Sequence, residues 1–181
     1  MKKLISALFM TIAIAGNTYA ADVMVGGQNM APSKDIIDNA VNSADHTTLV
    51  AAVKAAGLVD TLKGKGPFTV FAPTNAAFAK LPAGTVDTLL KPENKATLTK
   101  VLTYHVVAGR LSAKDLMTMI KKGDGTAELK TVSGGKLWVM MNGPMNIVLK
   151  DEKGGVANIS TYDVFQSNGV IQVVDSVLMP N

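Results

Sequence analysis

The chain has 181 residues, 48% of them hydrophobic and 18% charged, with no cysteine and a formal net charge of +4. Without cysteine, disulfide staples and thiolate chemistry are excluded, so packing alone must hold the fold. The lysines are scattered, and no basic stripe interleaved with aromatics argues for nucleic acid as a partner.

Residues 1–20 read as a secretory signal peptide. Lys2 and Lys3 form its charged start, residues 4–15 its apolar centre, and Thr18 and Ala20 occupy the small positions before the cut. Twelve apolar residues fall short of the ~20 that a helix needs to span a bilayer, so no membrane span is expected after cleavage. The expected destination is the periplasm, the cell surface or the medium. Removing this segment leaves 161 residues and lowers the charge to +2, a length suited to one domain with its own core.

Residues 21–33 contain a glycine pair, a proline and no sustained period, which reads as a flexible tether. From Ser33 a helical pattern begins, with Ile36, Ile37 and Ala40 on one side. Asp45 or Thr47 is placed to cap the next helix, in which Leu49, Val50 and Val53 fall at helical spacing before Gly57. Residues 58–63 add one more turn. In the stretch 66–78, GPFTVFAPTNAAF, the run Phe68, Thr69, Val70, Phe71, Ala72 predicts a strand buried on both faces. Pro73 has no N–H for a ladder and stops it. Thr74 or Asn75 then caps a short helix whose Phe78 turns back onto the strand.

Thr85 is expected to cap a short helix carrying Val86, Leu89 and Leu90, and Pro92 to open another that runs to about Tyr104. The latter's apolar face, Leu98, Val101 and Leu102, continues at the i+7 position to His105. Ser112 with Asp115 three residues on resembles a capping box, and Leu116, Met119 and Ile120 form the inner face of the helix that follows. After Gly125 the texture changes. Apolar-rich segments at 126–132, 136–141, 145–150 and 155–160, separated by glycine-bearing turns, predict an antiparallel meander. A short segment around Val164 and Phe165 follows, then Asn168, Gly169 and a last strand over 170–174. Helices first and strands later, within residues 34–181, indicate a single α+β domain.

Three stretches in this order resemble the boxes of the fasciclin, or FAS1, family: TVFAPTNAAF at 69–78, Tyr104-His105, and NGVIQVVDSVL at 168–178. The resemblance covers roughly residues 34–180 and implies a β-wedge or sandwich with several helices packed around it, the two boxes forming adjacent central strands. It designates Thr69, Phe71, Pro73, Thr74, Asn75, Phe78, Tyr104, His105, Asn168, Gly169 and Asp175 as motif residues. It also implies a cell-surface or extracellular adhesion or protein-interaction role. The implied partner is a surface or matrix protein, a glycan, or a second copy of the chain. Two positions depart from the family: Ala76 stands where the first box often has an acidic residue, and Gln172 where the second commonly has histidine.

Tyr104 and His105 match a region implicated in adhesion in animal relatives, which makes them candidate contact residues. The opposing expectation is that His105 is buried and neutral, bonded to Thr74, Asn75 and Asp175. Asp175 is expected to accept backbone N–H bonds at the turn into Ser176. Met140, Met141 and Met145 flank a turn and invite a copper(I) reading, but methionine more often fills core gaps. Only His46 and His105 are present, without zinc spacing, and no cofactor or metal is expected. No G-x-S-x-G elbow, P-loop or dinucleotide fingerprint occurs, so an enzyme is not expected. The alternative to an adhesion module is a periplasmic or secreted carrier of a small apolar ligand.

Overall fold

The computed structural model describes residues 23–181, so the expected signal peptide lies outside the described residues. Strands β1 (Val23–Val25) and β2 (Gln28–Met30) open it as a hairpin. Their turn residues Gly26 and Gly27 have φ of 58° and 72°, the left-handed backbone a two-residue hairpin loop requires. Over residues 23–30 this hairpin replaces part of the tether expected over 21–33. Val25 and Met30 are buried in the core, and three residues per strand are too few to register as an alternation.

Helix α1 (Ile36–Ala40) starts later than expected, because Asp35 rather than Ser33 caps it by accepting the Asp38 N–H at 2.8 Å. Helices α2 (Thr47–Ala56) and α3 (Val59–Lys63) follow, and then β3 (Phe68–Pro73), whose residues 69–73 are all buried. After β3 come α4 (Asn75–Ala79), α5 (Thr85–Leu89), α6 (Lys95–Tyr104), β4 (Val106–Ala108) and α7 (Ala113–Lys122). Gly84, not Thr85, precedes α5. The capping box of Ser112 and Asp115 on α7 forms in both directions.

The strands after α7 are β5 (Thr126–Lys130), β6 (Lys136–Asn142), β7 (Asn146–Lys150), β8 (Val156–Gln166) and β9 (Gly169–Val174). The larger sheet runs in the order β4-β3-β9-β8-β7-β6-β5, with β3 and β9 parallel and every other pair antiparallel. A bridge between Val107 and Thr131, and a bond from Val132 N to Val106 O of 2.8 Å, bring its two ends together, so the sheet is nearly closed. Segments 155–160 and 164–165, expected as separate pieces, are one strand. Two irregularities between Ile159 and Val164, with Asp163 at φ 56°, bend β8 while it stays paired with β9.

Alternation along β3 and β9 divides the interior. Val70, Ala72, Ile171 and Val173 face a core shared with the hairpin and α1, α2 and α6. Phe71 and Val174 face a second core inside the curled sheet, with Leu137, Val139, Ile147 and Leu149, covered by Leu116 and Ile120 of α7. Each such fully buried aliphatic side chain contributes about 1.5–3 kcal/mol, the means of stabilisation left to a chain without disulfides.

Candidate functional site

The first and last motif stretches lie side by side. Phe68 to Pro73 pair in register with Gly169 to Val174, and the fit is close: a Cβ added at Gly169 would stand 2.2 Å from the Phe68 carbonyl oxygen. Thr69, fully buried, donates its hydroxyl to Gly109 O (2.7 Å) and accepts from Leu111 N (2.9 Å), tying the 109–111 loop to the sheet. Thr74 caps α4 through Ala77 N at 3.2 Å. Asn75 does something else. Its Oδ1 accepts from Thr48 N (3.0 Å) and its Nδ2 donates to Ala44 O (2.8 Å), so it caps α2 from outside, in place of Asp45 or Thr47. Asn168 accepts from Ile36 N (3.1 Å) and donates to Leu62 O (2.8 Å) and Gly64 O (3.1 Å), clamping α1 and the end of α3 to the β8–β9 turn. Phe71 and Phe78 are buried.

Tyr104 and His105 are buried as well, at 0% and 3% exposure, and this removes both as contact residues for a partner. The Tyr104 hydroxyl donates to Lys136 O (2.6 Å) and accepts from Glu152 N (3.1 Å), joining α6 to the β5–β6 and β7–β8 turns of the meander. Burial pushes its pKa up to about 12. His105 is the buried neutral histidine expected, but with other partners. Its Nδ1 lies 2.8 Å from Val101 O and its Nε2 accepts from Leu178 N at 3.0 Å, while Thr74, Asn75 and Asp175 bond elsewhere. With Val101 O taking the Nδ1–H, Nε2 is left as the acceptor that Leu178 needs. Burial depresses its pKa to about 4, against the smaller opposing pull of the Val101 carbonyl and Asp151. At its own turn Asp175 accepts only the Ser176 hydroxyl, at 3.1 Å, and no backbone N–H. Its carboxylate accepts from Asn158 N (2.8 Å) and Asn158 Nδ2 (3.0 Å) across the β8–β9 pair. Burial opposes its ionisation, but the bonds from Asn158 and Ser176 prevail and keep its pKa below the usual value.

This buried frame of two parallel central strands and an internal Tyr-His pair coincides with a family pattern. The family model described as Fasciclin domain matches residues 44–180. The chain belongs to the fasciclin family. It is 46% identical over 147 residues to Protein sll1483 of Synechocystis sp., covering 80% of this chain and 73% of that one. Against Immunogenic protein MPB70 of Mycobacterium bovis it is 39% identical over 146 residues, covering 78% and 66%. Against Cell surface glycolipoprotein MPB83 of the same species it is 37% identical over 169 residues, covering 90% and 69%. Among solved structures, the FAS1 domain pair of the insect cell adhesion molecule Fasciclin I superposes with a TM-score of 0.72 at 18% identity, over 87% of this chain and 57% of that one. At that identity the likeness concerns the fold.

The two departures from the fasciclin boxes have different weight. Ala76 is exposed on α4. Gln172 is fully buried and makes three bonds, accepting from Asp163 N (3.0 Å) and donating to Asp163 Oδ1 (2.9 Å) and Leu111 O (3.1 Å). Asp163 Oδ1 in turn accepts from Ala113 N at 2.7 Å, so Gln172 holds the β8 bend that receives the start of α7. Asp163 and Asp175, the acidic residues of the bent β8 and of the end of β9, are thus committed to different structural bonds. Met140 and Met141 are consecutive in β6, which sends their side chains to opposite faces. Among the described residues no cluster of three histidine or acidic side chains is placed to hold a metal, and no helix is long and apolar enough to cross a membrane.

Two features outside the boxes were not singled out by sequence. Trp138, the one tryptophan, is half-buried on the outer face of β6, between Glu128 of β5 and Lys150 of β7, in a shallow hollow shared with Met140, Glu152 and Lys153. The alternation Lys136, Leu137, Trp138, Val139 carried this signal, with leucine and valine inward. The second feature is an apolar chamber of about 90 Å³ between the β1–β2 hairpin, α1–α3 and the β3–β9 face. Val25, Met30, Ile37, Leu49, Val164 and Ile171 contribute to its walls, and His46 and Ser43 bring it polar atoms. Its signal was scattered over segments far apart in sequence.

Proposed function

We propose that this fasciclin domain is a non-catalytic interaction module, exported by its first twenty residues and engaging a cell-surface or matrix protein, a glycan, or a second copy of itself. The observation that carries this reading is the inward orientation of the family motif. With Tyr104, His105, Thr69 and Gln172 all buried and bonded, the boxes serve as scaffold and recognition falls to the outer surface. Trp138 is the candidate anchor there. Tryptophan is enriched at binding hot spots because it offers a large rigid area at low entropic cost. Charged neighbours of both signs, Glu128 and Lys150, supply the polar rim. The names of the M. bovis relative, a cell-surface glycolipoprotein, and of the insect adhesion molecule support the extracellular setting.

The test is retention of envelope fractions and of intact cells on the immobilised protein, wild type against Trp138→Ala. Material held by the wild type and released by the variant, with unchanged thermal unfolding, supports the module and its face. Equal retention moves the contact away from Trp138, and no retention at micromolar bait overturns the module. The apolar chamber favours a second reading, carriage of a small apolar molecule.

A further inference from the structure

The chamber contains one unexplained polar atom. His46 is only 4% exposed, and its Nδ1 lies 2.8 Å from Ser43 Oγ, yet, a weak pull from the Ala72 backbone aside, its Nε2 is buried without a hydrogen bond of normal geometry. The ring is fixed through Ser43. Ser43 holds Nδ1, and Ser43 itself sits beneath the hairpin turn, where a Cβ at Gly26 would come within 2.5 Å of its hydroxyl. Ala44 N closes the same contact through Gly26 O at 3.4 Å. A buried polar atom without a partner is rare in folded proteins and calls for a reason. Here it borders an apolar space of about 90 Å³, far above the 10–15 Å³ that a single water needs but below the ~150 Å³ of a cavity known to admit benzene.

We propose that the chamber is a binding site for a compact, uncharged hydrocarbon of about four or five heavy atoms bearing a single hydroxyl, which His46 Nε2 recognises. The proposal rests on the carrier reading and adds its chemistry. The apolar walls select the hydrocarbon body, and the size of the chamber limits it to a short branched chain or small ring. A hydroxyl is the matching polar group because it answers either tautomer. If Ser43 donates to Nδ1, Nε2 carries the proton and the ligand oxygen accepts. If Nδ1 donates to Ser43, Nε2 is a lone pair and the ligand O–H donates. An ammonium finds no counter-charge among the chamber walls and a carboxylate finds only the exposed Lys54, and burying an ion there is disfavoured. A pure hydrocarbon fills the space but leaves Nε2 as it is.

Isobutanol and isopentane, near-isosteric and differing in one hydroxyl, test this by NMR of methyl-labelled protein. Both are expected to shift the methyl resonances of Val25, Ile37, Leu49 and Ile171, and isobutanol alone to shift the ¹⁵N resonance of His46 Nε2 in the unmutated protein. His46→Leu is expected to weaken isobutanol about tenfold relative to isopentane, the factor that one hydrogen bond of ordinary net strength supplies. Ala40→Leu, which fills the chamber from α1, is expected to abolish binding of both. If both bind but neither moves Nε2, the assignment of His46 is overturned and the carrier reading stands. If neither shifts the wall methyls up to millimolar concentration, both are overturned.

Discussion

Lowering the pH from 7 to 5 is expected to weaken this fold through His105. The group is neutral when folded, with a pKa near 4 set by burial, against 6.5 for an ordinary histidine. The unfolded chain therefore binds the extra proton first. The stability His105 contributes is complete above pH 6.5 and is lost as pH falls through 4. The loss is about 2 kcal/mol by pH 5 and about 3 kcal/mol by pH 4. His46, whose pKa is also lowered by burial, acts in the same direction. For a chain of this size, 2 kcal/mol moves a urea midpoint by about 1 M. Urea unfolding at pH 7, 6 and 5 checks this in the wild type and in His105→Leu. Leucine leaves the buried Leu178 N–H without its acceptor, so the variant is expected to be about 1–3 kcal/mol less stable at pH 7. Its midpoint is also expected to fall less between pH 7 and 5, by the share His105 no longer supplies. Staying above pH 5 keeps carboxylates such as Asp175 out of the measurement. A variant with the wild-type slope refutes the reasoning, because the proton uptake then lies elsewhere.

Two further outcomes follow from close contacts in the frame. Gly169→Ala forces a Cβ to within 2.2 Å of the Phe68 carbonyl, at the start of the parallel pair; a destabilisation of at least about 2 kcal/mol is expected from thermal or urea unfolding, and a change under 0.5 kcal/mol contradicts it. Gln172→Met keeps length and apolar volume but leaves Asp163 N and Leu111 O without their partner; a loss of about 1–3 kcal/mol is expected. Amide exchange should accelerate first at Ala113 and Asp163, and uniform acceleration across the sheet argues against a local role for Gln172.

What the sequence determined by itself is local chemistry and class. The capping box at Ser112, the buried run in β3, the spacing of turns after Gly125 and the three boxes each depend on residues within a few positions of one another, so the α+β class and the fasciclin family were legible. The hairpin at 23–30 was not, because two three-residue strands give no period and are held by Asn39 and the core. Beyond the local bonds to Val101 and Ser176, the partners of His105, Asn75 and Asp175 lie 73, 27 and 17 residues away. No local rule selects such partners. They follow from the parallel register of β3 with β9 and the packing of α6 and α2 against it. The same holds for the apolar chamber and the solitary nitrogen of His46: a space between elements belongs to none of them, and only their mutual arrangement brings it into existence.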